Sequence, residues 1–373
     1  MIYLDHNATT PVDKHVLEAM WPFFSEEYAN PASEHQKGLI SKNCVDRARE
    51  NVAHFLGGRS DEIIFTSGAT EANNLALIGL SLRAMPHRNH IITSSIEHPA
   101  VLAPAKHLES QGFRITYIPV DEYGLIDLDY LRSSITNQTF LISVMFANNE
   151  IGTIEPISEI GAIAKENNIY FHTDAAQAIG HIPVNVDKMN IDLMSVSAHK
   201  FYGPKGVGCL FVRNRIPRVI LSPIIYGGGQ EKGLRSGTLN VPGIVGMAEA
   251  CKIAKKEMGQ NSTHNRDLAS QILIRLKKKR RDVKLNGHPE LRLLHTINIE
   301  IPNIDNKWLV LKMKDFCFST ASACSAYHDE PSHVLSALGL SKEKISNCIR
   351  IGIGKGTTKE ELEIFLNKLT SLI

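Results

Sequence analysis

The chain has 373 residues, 43% of them apolar, which is enough for a large buried core and more than one small domain usually contains. Its 41 basic against 39 acidic residues leave a net charge of +2, which excludes a strongly polyanion-binding composition, and direct nucleic-acid binding is not expected. The start, Met1-Ile2-Tyr3-Leu4-Asp5-His6-Asn7, has no basic segment followed by an apolar one, and no apolar run is long enough to span a bilayer, so a cytoplasmic protein without membrane association is expected.

From about residue 60 to 215 the pattern alternates between strand and helix. Apolar, β-branched runs predict strands over 91–94, 114–120, 140–146, 170–174, 193–197 and 207–212. Between them, helical spacing predicts helices over 71–85, 100–110 and 158–167, with Gly112 and Asn168 as stops for the last two. Such alternation argues for an α/β fold, a mostly parallel sheet covered by helices on both faces. Chemistry in these sheets gathers at the carboxyl ends of the strands, where Asn149, Asp174 and Ser197 fall. The remainder reads as a smaller α+β unit. It has helices over 243–258 and 264–279, strands over 296–301 and 349–353, and a last helix opened by the capping box Thr358-Lys359-Glu360-Glu361. The expected division is a large domain over 15–245 and a small domain over 1–14 and 246–373.

The six cysteines contain no Cys-x-x-Cys pair, so neither a structural metal site nor a disulfide framework is expected. Cys209, in Val207-Gly208-Cys209-Leu210, and Cys317, between Phe316 and Phe318, read as core. Cys324 stands apart, among small residues in Ser319-Thr320-Ala321-Ser322-Ala323-Cys324-Ser325-Ala326, where little packing would restrain it.

Four other segments carry chemistry. Thr66-Ser67-Gly68-Ala69-Thr70-Glu71 turns from a short apolar run into a helix, aiming free N–H groups at an anion, although an ordinary helix start has the same pattern. Asp174 ends an apolar strand in His172-Thr173-Asp174-Ala175, and a simple N-cap would look alike. His98 lies in Glu97-His98-Pro99, where an imidazole can stack on a ring or move protons, or merely cap a helix. Lys200, 26 residues after Asp174, sits in Ser197-Ala198-His199-Lys200-Phe201-Tyr202-Gly203-Pro204-Lys205-Gly206, a desolvating context for an amine. Lysine, carboxylate, stacking group and anion cradle are the set that pyridoxal phosphate requires.

These segments resemble the cysteine desulfurases of the class V aminotransferase-fold family, in the NifS/IscS-like subgroup whose cysteine rides on a longer loop. The resemblance runs from Tyr3-Leu4-Asp5-His6-Asn7-Ala8-Thr9-Thr10 through Asn148-Asn149-Glu150-Ile151-Gly152, Gly227-Gly228-Gly229-Gln230-Glu231 and Arg235-Ser236-Gly237-Thr238 to Ile349-Arg350-Ile351. It implies the aspartate aminotransferase-like fold and pyridoxal 5′-phosphate. Ala69, Thr70, Ser197 and His199 would bind phosphate, Asp174 the ring nitrogen and Gln177 the ring hydroxyl. His98 would stack on the ring, Lys200 would hold the cofactor and move the Cα proton, and Asn149 would lie near substrate and ring. Arg350 would clamp the substrate carboxylate, helped by Asn30, with Arg235 a lesser candidate. Thr238 would reach the phosphate of a second copy in a homodimer. L-cysteine would become L-alanine, leaving a persulfide on Cys324. A selenocysteine lyase, or another enzyme using the same cofactor, is the alternative, and a non-catalytic scaffold a further one. Ala321 stands where relatives carry glycine, which narrows the backbone freedom before Cys324.

Relatives that feed iron–sulfur scaffolds usually carry a longer tail than one ending at Ile373, which leaves a specialised role open, with tRNA thiolation, DNA phosphorothioation and dedicated iron–sulfur cluster assembly as the candidate destinations for the sulfur. The run Lys277-Lys278-Lys279-Arg280-Arg281 reads as a solvated helix end suited to the dipole, or as a docking patch for an acidic sulfur-acceptor protein.

Overall fold

A computed structural model describes residues 1–84, 88–216, 218–320 and 331–373. Ala321 and Cys324 therefore lie outside the described residues. A seven-stranded sheet organises the larger part. Across it the strands run Ile63–Thr66, Gly208–Val212, Leu193–Ser197, Tyr170–Asp174, Thr139–Ser143, His90–Ser94 and Arg114–Ile118. The last five are mutually parallel; Gly208–Val212 runs antiparallel to both of its neighbours.

Strand alternation explains the layers. Ile92, Ile142, Phe171 and Met194 face one core, with the helices Gln36–Leu56 and Ile157–Glu166. Ile91, Leu141, Leu193 and Leu210 face the opposite core, with the helices Ala69–Ser81 and Pro99–Ser110. Successive side chains of a strand point to opposite faces, so near-continuous apolar runs are what a sheet covered on both sides needs. The predicted stops hold: Gly112 and Asn168 both take the left-handed conformation just beyond their helices.

The smaller part is an antiparallel sheet ordered Ser319–Thr320, Cys348–Gly352, Thr296–Glu300 and Lys284–Asn286, packed on the helix Lys359–Leu372. Leu4 belongs to this second core. The two helices expected over 243–258 and 264–279 are one helix, Val241–Lys279. Gly259, Asn261 and Ser262 lower helix propensity, but none removes a backbone N–H as proline would, so the ladder continues. Met247, Cys251 and Ala254 pack into the first core, and Leu268, Ile272 and Leu276 into the second. The expected boundary at 245/246 thus falls inside a helix that serves both. Cys209 is in the core, whereas Cys317 is only half-buried. The rings of Phe316 and Phe318 meet Phe365, and alternation turns the cysteine between them the other way.

No helix of the described residues is long and apolar enough to cross a membrane. At the last helix, Thr358 accepts from the Glu361 N–H at 3.1 Å and Glu361 accepts from the Thr358 N–H at 3.0 Å, the reciprocal box expected. Thr358→Ala should lower the unfolding free energy by about 1 kcal/mol, and Thr358→Ser should keep most of it; equilibrium urea unfolding reads both.

Candidate active site

Parallel strands bring their carboxyl ends to one edge of the sheet. There a cavity of about 580 Å³ opens, lined by Ala69, Thr70, His98, Asn149, Asp174, Gln177, Ser197, His199, Lys200 and Arg350 among others. Sequence reading had singled out all ten. Asn30 and Thr238 are not among the lining residues. Asn30 is exposed and its Oδ1 accepts from the Ala32 N–H at 2.9 Å, closing its own turn. Thr238 is exposed on the surface of this chain.

The anion cradle depends on two glycines. Gly68 has φ +152°, a value side-chain-bearing residues rarely adopt, and leads straight into the helix Ala69–Ser81. The first N–H groups of that helix have no partner one turn earlier and face outward. Gly208 lies against Gly68: a Cβ there would come within 2.3 Å of the Val196 carbonyl oxygen and 2.7 Å of the Gly68 Cα. The cradle is braced from outside. Arg235 donates to Glu71 at 2.8 Å, and Glu71 accepts from the Ser67 N–H at 2.8 Å. Burial opposes ionisation of Glu71, but these bonds hold its carboxyl below the usual range. Arg235 is therefore engaged with Glu71 behind the cradle and is not among the residues that line the cavity.

Asp174 is almost fully buried. Its Oδ2 accepts from the Asn73 amide at 2.7 Å and its Oδ1 from the Ala176 N–H at 3.0 Å. Asn73, one turn into the cradle helix, was not marked as functional from sequence; its spacing of four from Ala69, on the same helix face, was the available signal. His98 caps the helix Pro99–Ser110, its Nδ1 accepting from the Ala100 N–H at 3.1 Å. Burial pushes its imidazole below the ordinary value; Asp174 opposes this and Lys200 adds to it. His199 is pushed to about 4 by burial, with Lys200 and Lys205 adding, so it is neutral and bonds Thr9 Oγ1 at 3.1 Å.

The Lys200 amine donates to the Asn7 carbonyl at 2.6 Å and to the Ala8 carbonyl at 2.9 Å. Gln177 donates to the same Asn7 oxygen at 3.1 Å. The N-terminal segment thus forms one wall of the site, a role sequence reading did not assign to it. Arg350 reaches in from the smaller sheet, donating to the Asn149 carbonyl at 3.1 Å and to Asp5 Oδ1 at 2.9 Å. The arrangement can position an amine, a stabilised carboxylate, a neutral imidazole, an anion cradle and a guanidinium around one small molecule.

Burial favours the uncharged form of carboxyls deeper in the protein. Glu97 is fully buried and pushed up to about 8 by that burial, against the opposing hydrogen bonds from the Met145 N–H at 2.6 Å and Ser94 Oγ at 2.8 Å. Glu150 rises to about 7 for the same reason, moderated by Ser332 and Arg350.

Residues 2–365 match the family described as Aminotransferase class-V. The chain is 45% identical to cysteine desulfurase IscS of Rickettsia massiliae over 373 residues, covering 100% of this chain and 91% of that protein. Among solved structures, a NifS-like protein superposes with a TM-score of 0.93 at 40% identity, covering 100% of this chain and 98% of that one. The structure titled SspA in complex with cysteine gives a TM-score of 0.86 at 40% identity, covering 96% of this chain and 100% of that one.

The raised value of Glu97 has a sign that can be checked. Between the ordinary carboxyl range and about 8 the folded state keeps a proton that the unfolded state has released, so its contribution is fully present at low pH and is lost as pH rises through that window. Glu97→Gln, which mimics the protonated acid, should melt above the wild type at pH 8–9, with the gap closing towards pH 5. A melting-temperature series across that range reads it; a gap that widens at low pH would contradict the assignment.

Proposed function

The chain belongs to the aminotransferase class-V family, and from that premise we propose that it is a pyridoxal 5′-phosphate-dependent cysteine desulfurase. It converts L-cysteine to L-alanine and passes the sulfur on through a persulfide at Cys324. The observation that carries this reading is the convergence of Lys200, Asp174, His98, the start of the Ala69–Ser81 helix and Arg350 on one cavity.

The residues fit the cofactor. The cradle beside Gly68, at the start of the Ala69–Ser81 helix, suits its phosphate, with Ala69, Thr70, Ser197 and His199 as the holders. Asp174, fixed by Asn73 and Ala176, suits a protonated ring nitrogen. Gln177 would take the ring hydroxyl and His98 a ring face, and Lys200 would attach the cofactor. When bound, the cofactor supplies a sink for the electrons released at the substrate Cα. Arg350 and Asn149 orient the amino acid, and Lys200, freed from the Asn7 and Ala8 carbonyls, takes the Cα proton. The Cys324 thiolate attacks the substrate sulfur: the substrate C–S bond breaks, an S–S bond forms, and protons return to carbon, so that cysteine plus enzyme thiol gives alanine plus enzyme persulfide. Thr238 would serve the phosphate site of a second copy, making the working form a homodimer. The reading places the enzyme in the cytoplasm, with an acceptor protein for iron–sulfur cluster assembly, tRNA thiolation or DNA phosphorothioation downstream.

Purified protein should be yellow and, with L-cysteine and a thiol reductant, should form sulfide and alanine in equal amounts. Cys324→Ala should lower both by on the order of a hundredfold or more, and Lys200→Ala should be inactive and lack the wild-type colour. A Cys324→Ala protein that releases alanine at the wild-type rate would move the assignment to a different reaction of the same cofactor.

A further inference from the structure

Arg350 is 3% exposed, and its donors can be counted. A guanidinium has five N–H groups in a fixed plane. Nη1 donates to the Asn149 carbonyl at 3.1 Å. Nη2 donates to Asp5 Oδ1 at 2.9 Å and to Ser319 Oγ at 3.3 Å. Nε is buried and has no acceptor among the described residues. A carboxylate held by two parallel bonds uses either Nε with Nη2 or Nη1 with Nη2. Both arrangements need a hydrogen of Nη2, and both of those hydrogens are already committed. Two-pronged capture of a carboxylate must therefore displace Asp5 or Ser319. Of the two, only Asp5 carries charge, so it is the group a second carboxylate repels.

We propose that Asp5 is an internal carboxylate occupying the substrate-carboxylate seat on Arg350, and that its exchange for the α-carboxylate of L-cysteine sets the affinity for ligands that bear a carboxylate. The inference rests on the reading of Arg350 given above. Two further features favour exchange by a turn of the side chain alone. The backbone beside Asp5 is pinned, with the His6 N–H bonded to the Gly352 carbonyl at 3.1 Å. The Asp5 side chain is 19% exposed against 4% for that of Arg350, so a displaced Asp5 can be hydrated where it is. Until then it neutralises a cation that would otherwise lie buried and unpaired. Nε, which has no acceptor among the described residues, is the second prong that a ligand carboxylate can use.

Asp5→Asn keeps an oxygen acceptor and removes the competing charge. The KM for L-cysteine should fall by on the order of tenfold, with kcat moving less, and the dissociation constant of L-alanine, read by calorimetry, should fall by a similar factor. Cysteamine, which lacks the carboxylate, should show no such gain as a ligand. Ser319→Ala should shift the KM for L-cysteine less than Asp5→Asn does. If Asp5→Asn gives no folded protein, Asp5→Ser is read in the same way. An unchanged or raised KM in the neutral variants, or an equal gain for cysteamine, would overturn the proposal, because a general loosening of the site would not depend on the carboxylate. A wild type that makes no alanine from cysteine would overturn the functional reading instead, and the alanine calorimetry would still decide the role of Asp5.

Discussion

The site depends on the grip of two backbone carbonyls, those of Asn7 and Ala8, on the Lys200 amine. Those carbonyls belong to an N-terminal strap stitched to both parts of the molecule. On the side of the large sheet, the Thr10 N–H bonds the His199 carbonyl at 3.0 Å and the Asp13 N–H bonds the Tyr202 carbonyl at 2.9 Å. On the side of the smaller sheet, the Gly352 N–H bonds the Leu4 carbonyl at 2.7 Å, and Lys355 pairs with Asp13. The passage is tight: a Cβ on Gly352 would lie 2.4 Å from Asn7 Oδ1. Lys200 and Arg350 come from different sheets, and the strap sets their separation. Carbonyl oxygens suit this task because they orient the amine without adding a negative charge that would hold its proton.

What could be read from sequence was whatever follows a period. Apolar runs with β-branched residues located the parallel strands, and the direction of a parallel sheet then put Asp174, Ser197 and Lys200 on one edge. The helix start at Gly68 and the capping box at Thr358 were legible because each is a local hydrogen-bond arrangement with a fixed spacing. The strap was not legible as a wall of the site. It contributes through backbone oxygens, which every residue possesses, so Asn7 and Ala8 leave no chemical signature. Asn73 was hidden for a related reason, since an asparagine inside a helix declares nothing until its partner, Asp174, is seen 2.7 Å away. The join of two predicted helices into Val241–Lys279 went unread because weak formers at 259–262 lower propensity without breaking the ladder, and packing at both ends overrides so small a penalty.

Burial also decides which charges remain near the cavity. Glu97 and Glu150 are pushed up, and His98 and His199 are pushed down, in each case first by loss of solvent. Each shift favours the uncharged form of its group. Asp174 accepts hydrogen bonds from the Asn73 amide and the Ala176 N–H. Arg350 has the carboxylate of Asp5. Surrounding neutrality matters because, in a medium of low dielectric, every extra charge would act strongly on those two. The strap is consequently electrostatic as well as mechanical: its carbonyls hold one cation in place and its aspartate neutralises another. On the proposal made for Asp5, a ligand carboxylate takes its place on Arg350 while the backbone of the strap stays bonded to both sheets, so the segment that assembles the site also supplies the group that a substrate exchanges with.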